Sequence, residues 1–590
     1  MNLKEFSLQT RSRRMPAVCL LMLILLGAAW AQSDTRPDFM QSTAATGNPG
    51  GKLVVSIRSE PRTFNPVTAV DQVSVGIISR TMADLIHIHR GSQKTEPALA
   101  RSWTVSKDGT VFTVKLRRGL KFSDGVPFDA DDVIFSFKVY LDENLHSPHR
   151  DLLMIGNKPI RVEKLDQFTV RFIFPSPYAP LERLFDTLPM LPRHLLEKDY
   201  LDGKIAQAWS LDTAPDKIAG LGPFRLKQFV PGQRVVLERN PYYWKVDSKG
   251  QKLPYVDEMT FLVVPNQDAQ VVRFESGETQ VISGLSGDNF AALEPEQQSR
   301  HFKLYDAGPS LEYNFLMFNL NDDTGKYPEV ARRQKWFRDV RFRQAISAAI
   351  DRDAIVRLVY HGRATPLATH VSPGNKLWFN HAIPAPMRSL DKAKQLLRSA
   401  GFSWNASGAL MDSSGQPVEF TILVSSSNQQ RMQMATLILE DMKQIGITAH
   451  VVSMESRASV DRVLNSHEYD SVIMGLAPGD VDPTPDNNVW MSNGQTHLWH
   501  LGEKTPATPW EAELDRLLQK QLITLSYAER KKLYDRFQQI EAEQLPMIYL
   551  ATPNVLVGAH ENLGNFQPAV IEQYTLWNAE ELFWHTPGKH

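Results

Sequence analysis

The sequence predicts a multidomain α/β protein, and three observations carry that reading. First, 590 residues exceed what one compact core organises, so two or three domains are expected. Second, residues 418–475 read strand, helix, strand, helix, strand, which argues a parallel sheet with right-handed crossovers. Third, residues 103–174 carry hairpin signals instead, so a separate antiparallel α+β unit is expected there.

The parallel stretch is justified piece by piece. Val418, Phe420, Ile422 and Val424 alternate on one strand face. Met432, Ala435, Leu439 and Met442 recur at helical spacing, and Gly446 stands where a helix stops. Residues 447–452 read as a second strand and 458–464 as a second helix. The apolar run Ser471-Val472-Ile473-Met474-Gly475 then ends in a loop, 476–486, with three prolines and three aspartates. In such sheets ligands bind beyond the carboxyl ends of strands, so the acidic loop reads as one wall of a cleft. An ordinary solvated surface loop is the competing reading.

Composition narrows the class. Hydrophobic residues make up 42% and charged residues 22%, which is globular. The net charge of −1 gives no reason to expect nucleic acid as partner. Residues 1–31 read as a signal peptide. Lys4, Arg11, Arg13 and Arg14 lead an apolar run, and Ala29-Trp30-Ala31 fits a cleavage site before Gln32. An uncleaved N-terminal anchor is the alternative. The single cysteine, Cys19, falls inside that apolar run, so the exported chain would be thiol-free. Disulfides, thiolate metal sites and cysteine nucleophiles are then excluded, and a periplasmic location fits. Residues 32–51 are polar and aperiodic and read as a flexible leader.

The rest of the chain follows in order. Residues 53–57 begin the fold as a buried strand, and 73–85 suit a helix. Asp108-Gly109 and Asp166-Gln167 turn two hairpins, and Asp129 and Asp131 open a helix through Val133, Phe137 and Tyr140. The glycine-rich 218–224 lacks the Lys-Ser/Thr of a phosphate loop. Phe342, Ile346 and Ile350 form a helical stripe, and Ser526-x-x-Glu529 is a capping box. Residues 547–550 and 555–557 are late strands.

The motifs that would carry catalytic or metal chemistry are incomplete. Among sixteen histidines, His87-Ile-His89 and His497-Leu-Trp-His500 have suggestive spacing but no His-Glu-x-x-His frame, so no metal or cofactor is expected. Gly284-Leu-Ser286-Gly-Asp288 lacks the last glycine of a nucleophile elbow. Asp480 and Asp482 form a carboxylate pair, which leaves a hydrolase open. Tyr313, Phe315, Trp490 and Trp499 lie in turn-rich or strand-end contexts that suit a ligand cavity or a packed core.

Several stretches together resemble the family 5 solute-binding proteins of bacterial importers. They are Pro97-Ala-Leu-Ala-Arg-Ser-Trp103, Lys115-Leu-Arg-Arg-Gly-Leu-Lys-Phe-Ser-Asp-Gly125 with Ala130-Asp-Asp-Val133, Gly220-Leu-Gly-Pro-Phe224 with Arg239-Asn-Pro-Tyr-Tyr-Trp244, and Asp339-Val-Arg-Phe-Arg-Gln-Ala345 with Ala349-Ile-Asp-Arg352. The resemblance implies a bilobal periplasmic-binding-protein fold, class II type, with an additional antiparallel α+β domain. Domain I would comprise 52–86, 218–305 and 550–590; domain II, 87–217; domain III, 306–549. It also implies a non-enzymatic receptor, a monomer, that closes on a peptide or peptide-like solute and docks on an inner-membrane ABC permease with its ATPase subunits. Asp480 and Asp482 would meet a cationic ligand group, with Gly475, Tyr313, Asn314, Trp490 and Trp499 lining the cavity. In the peptide-binding members an aspartate four residues before an acidic-residue-Pro proline takes the peptide amino group. Here that place, before Pro483, is Gly479, Asp480 comes one residue later, and Leu476 replaces a usual tryptophan. The anchor is therefore shifted or absent. A periplasmic hydrolase using the two aspartates, and a chaperone-like or sensory protein on the same scaffold, are the alternatives.

Overall fold

The computed structural model describes residues 37–186 and 188–585. The expected signal segment and its expected cleavage site lie outside them. Three principal sheets organise these residues. The largest runs Phe224–Val230, Arg234–Arg239, Glu258–Val263, Lys52–Ile57, Val281–Ile282, Ala551–His560, Phe302–Pro309, with Ala364–Pro366 also on Ala551–His560. Lys52–Ile57 pairs in parallel with Glu258–Val263, Leu53 opposite Met259, and buries Leu53 and Val55. The helix Gln72–Thr81 is capped by Asp71, which accepts from the Ser74 amide. It ends four residues short of the sequence expectation because another chain segment crosses there. Gly222 passes the Thr81 backbone so closely that a Cβ would lie 2.5 Å from the Thr81 carbonyl carbon. That close approach is what the glycine-rich stretch permits.

The antiparallel unit has the order Ala100–Val105, Val111–Leu116, Thr169–Ile173, Arg161–Asp166, and both expected hairpins are present. Helix Ala130–Leu141 opens with a reciprocal capping box between Asp129 and Asp132. Phe112, Phe137, Phe172 and Phe185 pack in this unit, yet they belong to one continuous apolar core with the large sheet. A second core surrounds the five-stranded sheet Thr448–Met454, Glu419–Ser425, Ser471–Leu476, Tyr313–Phe318, Met547–Tyr549. Its first three strands are parallel, as the sequence predicts. Tyr313–Phe318 then joins antiparallel, with all six residues buried. No helix among the described residues is long and apolar enough to cross a membrane.

Residues 37–51, read above as a flexible leader, instead run along the fold. Met40–Gln41 pairs in parallel with Lys245–Val246, and the Ser42 hydroxyl donates to Glu581 at 2.5 Å. Gly47 and Gly51 abut Phe583 and Trp584. A polar, aperiodic segment finds its order here in an edge strand and the chain's far end.

Two neighbouring strands cross from one core to the other. Phe302–Pro309 leads into Tyr313–Phe318, and Met547–Tyr549 leads into Ala551–His560. The crossings are tied together: Thr552 Oγ1 donates to the Ser310 carbonyl at 3.1 Å, and the Leu550 amide to Asn314 O at 2.8 Å.

Candidate functional site

The acidic loop lies at the seam between the two cores. Val481 at its tip is buried in the first core, although the loop grows from the second. Arg183, from the antiparallel unit, clasps Asp480 through Nε and Nη2, one nitrogen per carboxylate oxygen. The same guanidinium donates from Nη1 to the Gln93 carbonyl at 2.9 Å. Burial disfavours its charge, but Asp480 outweighs that and holds the pKa above the usual arginine value. Gln93 ties the seam a second time, donating from Nε2 to Gly374 O at 2.6 Å and accepting from the Lys376 amide at 2.8 Å.

Asp482 points the other way. Its oxygens accept from Arg530 Nη1 and Nη2 at 3.0 and 3.1 Å, within the second lobe, and both side chains are buried. Asp482 Oδ1 also accepts from the Thr484 amide and hydroxyl at 3.1 and 2.7 Å, which caps the turn after Pro483. A cavity of about 270 Å³ opens beside both aspartates, lined also by His370, Asp486 and Tyr534. Glu541 is fully buried there and lies 2.9 Å from His370 Nδ1. Burial opposes charge on His370, but Glu541 raises its pKa. Burial also pushes the Asp486 carboxyl up to about 6, with Glu541 and Asp480 adding to it and His370 opposing.

The other expected residues separate. Gly475 sits opposite Asn314 in the sheet, and Arg431 covers both: Nε donates to Asn314 Oδ1 at 2.9 Å and Nη2 to Glu312 at 3.2 Å. A Cβ on Gly475 would meet the Arg431 guanidinium at 2.2 Å. Tyr313 is buried beside His370, ring centroids 5.6 Å apart. Trp490 and Trp499 pack against each other in the second core, ring centroids 5.4 Å apart and tilted by 53°. The structure thus brings Asp480 and Asp482 to one cavity, sets Gly475 with Asn314, and packs the three aromatic side chains inside.

A cavity of about 1000 Å³ lies in the first lobe and was not expected from the sequence. It runs between helix Gln72–Thr81, strands Ile86–His89 and Lys94–Pro97, and residues 573–580. It abuts the seam, because Lys376 Nζ donates to the Gly91 carbonyl at 2.9 Å where Gly91 meets Trp577. Ile78, Met82, Trp244 and Trp577 supply apolar wall, and Arg80, His87, Lys245 and Glu580 supply charge. Lys245 pairs with Glu580 at 2.8 Å. Burial opposes charge on His87, but Asp84 and Asp186 raise its pKa to about 9. Burial lowers Arg80 to about 10, and its buried Nε has no hydrogen-bond partner among the described residues. No sequence motif flags Arg80, Arg183, Arg431 or Arg530, because each acquires its role from segments remote in the chain.

Residues 94–497 match the model of the bacterial extracellular solute-binding proteins, family 5. The chain belongs to this family. A probable ABC transporter-binding protein of Deinococcus radiodurans is 28% identical, the match covering 91% of this chain and 93% of that one. The oligopeptide-binding protein AppA of Bacillus subtilis is 25% identical over 94% and 96%. Among solved structures, the ABC transporter substrate-binding protein CtaP of Listeria monocytogenes superposes with a TM-score of 0.74 at 23% identity, covering 91% of this chain and all of that one. The fold is therefore the bilobal periplasmic-binding-protein fold, and the chain is a substrate-binding receptor of an ABC importer. The hydrolase reading of Asp480 and Asp482 finds no support, since an arginine holds each carboxylate and the relatives are binding proteins.

Proposed function

We propose that this receptor captures a peptide or peptide-like solute in the large cavity beside the seam and delivers it, as a monomer in the periplasm, to an inner-membrane permease and its ATPase subunits. One lobe would be residues 52–86, 218–305 and 550–590 with 87–217 attached; the other would be 306–549. The observation that carries the reading is the cavity: about 1000 Å³, with apolar walls and a buried arginine whose Nε is unpartnered. Arg80 would receive a carboxylate, and the two tryptophans would cover apolar side chains. One aligned relative's name refers to an ABC transporter, and another's names oligopeptides.

Asp480 takes a different part in this proposal from the one expected above. Its cation is Arg183 of the other lobe, so it acts as a latch that favours the closed form. A ligand shifts closure only by its differential affinity for the two forms, and a latch sets the starting balance. Mass spectrometry of solute released from the natively purified protein tests the ligand class, and calorimetric titration of Arg80→Met with the released solute tests the site. Recovery of compounds without a carboxylate, or an Arg80→Met protein with unchanged affinity, would overturn the cavity assignment.

A further inference from the structure

Three side chains of the second lobe converge away from the cavity proposed for the solute. The His497 side chain is 0% exposed, and those of Glu503 and Glu511 are each 4% exposed. His497 Nε2 lies 3.4 Å from Glu503 Oε2 and 3.8 Å from Glu511 Oε1. All three donor atoms fall within 4.8 Å of one another. His497 Nδ1 stands 3.1 Å from the Val489 carbonyl. A carbonyl only accepts, so Nδ1 carries a hydrogen and Nε2 is the nitrogen turned on the carboxylates. Nε2 and both Glu503 oxygens are buried without a hydrogen-bond partner among the described residues, and His500 Nδ1 stands 3.6 Å from Glu503 Oε1. Buried polar atoms without hydrogen-bond partners are costly, and each calls for an explanation.

We propose that His497 Nε2, Glu503 and Glu511 bind one divalent cation of the zinc type. One imidazole nitrogen and two carboxylate oxygens are a donor set that zinc accepts. Bond lengths of about 2.0–2.2 Å around a tetrahedral ion put donor atoms about 3.3–3.6 Å apart, and the two distances from His497 Nε2, 3.4 and 3.8 Å, lie close to that range. The ligands are already oriented from behind. Trp499 Nε1 donates to Glu511 Oε1 at 3.0 Å, Thr508 Oγ1 donates to Glu511 Oε2 at 2.7 Å, and Val489 O holds the His497 ring. Such outer contacts set the tautomer and direction of metal ligands. Glu503 also lines a surface cavity with Gly494 and Lys504, which gives an ion a way in. The cation staples the irregular segment 491–508 between helices Asn487–Trp490 and Pro509–Ile523, and so fixes Trp499 against Trp490.

The test begins with purified protein stripped by chelator, then titrated with Zn²⁺ and melted with and without it. About one equivalent should bind and raise the melting temperature, and Co²⁺ in its place should show tetrahedral d–d absorption. Glu503→Gln keeps the shape, removes one ligand charge and should abolish the single tight equivalent. Trp499→Phe, which removes the orienting N–H together with part of the buried ring, should weaken binding by about 10–100-fold. If His497→Gln fails to fold, Glu503→Gln still reads the site. Failure of the stripped protein to bind Zn²⁺ with an unchanged melting curve would overturn the proposal in favour of a protonated His497 bridging the carboxylates. An equivalent that persists undiminished in Glu503→Gln would overturn it as an adventitious ion bound elsewhere.

Discussion

Asp480 and Asp482 stand two residues apart in one loop, and each is held by an arginine through both oxygens, yet they do different work. Asp482 pairs with Arg530 inside the second lobe, where both side chains are buried and Arg530 also lies over the Trp378 ring at 4.9 Å. Asp480 pairs across the seam with Arg183, and these side chains keep 17% and 12% exposure. A charge pair within a rigid body contributes to folding and cannot respond to motion. The same pair across a hinge contributes to one conformation only, so its free energy enters the opening equilibrium. The pairing partner, and not the aspartate itself, decides which.

The comparison is broken most forcefully at Arg530. Arg530→Met strands the Asp482 carboxylate in a buried site, and urea unfolding should show a loss of about 3–5 kcal/mol without ligand. A loss no larger than that of a surface substitution would erase the distinction between the two pairs. Asp480→Asn comes next. It removes a bidentate charged pair worth about 1.5–3 kcal/mol in the closed form while leaving each lobe intact. Small-angle scattering should give the unliganded variant a larger radius of gyration than wild type, with the second lobe's unfolding unchanged. Equal radii would mean that Arg183 and Asp480 do not latch the seam.

A pH series sharpens the contrast at the cavity beside both aspartates. Asp486 has its folded pKa raised by burial from 3.8 to about 6. The folded state thus holds that proton more tightly than the unfolded one. Its contribution is full below about pH 4 and is lost as pH rises to about 6. His370 is also raised, so its contribution is present below its ordinary pKa of 6.5 and fades as pH climbs past its folded value. Melting temperature should therefore decline from this cluster as pH rises through that window, and Asp486→Asn should flatten the slope between pH 4 and 6. An unaltered slope in the variant would show that Asp486 does not titrate there. The smallest effect is expected at Gly475→Ala. The added methyl meets the end of a flexible arginine that can swing away and the Asn314 amide oxygen at 2.7 Å, at a cost of about 1 kcal/mol. Its marker is loss of the Arg431–Asn314 contact, visible as a local rise in amide exchange at Asn314 and nowhere near Asp480.

Local pattern made much of the architecture legible. The parallel strands Glu419–Ser425, Thr448–Met454 and Ser471–Leu476 are close in sequence, and each turn between them carries its own signal, such as Asn428 capping the first helix and Gly446 ending it at φ +82°. The hairpins of the antiparallel unit are equally local. The large sheet was not legible as a sheet, because Lys52–Ile57 finds its neighbours at 258–263 and 281–282, and strand 551–560 returns to it from the far end of the chain. Tyr313, Trp490 and Trp499 show the same limit from the other side. An aromatic residue packs as well in a core as in a cavity, and only its neighbours tell which.

By itself the sequence determined the class of protein, the two styles of sheet and the family, since these rest on spacing and on motifs whose residues are adjacent in the chain. Tertiary structure alone decided which carboxylate meets which cation. Arg183 reaches Asp480 across 297 positions, and Arg530 reaches Asp482 across 48. It also decided that Arg80 faces a cavity and that His497 meets Glu503 and Glu511. The physical reason is one of range. Periodicity and turn chemistry act over a few residues, whereas an ion pair depends on distance in space, which the chain sets only once it has folded.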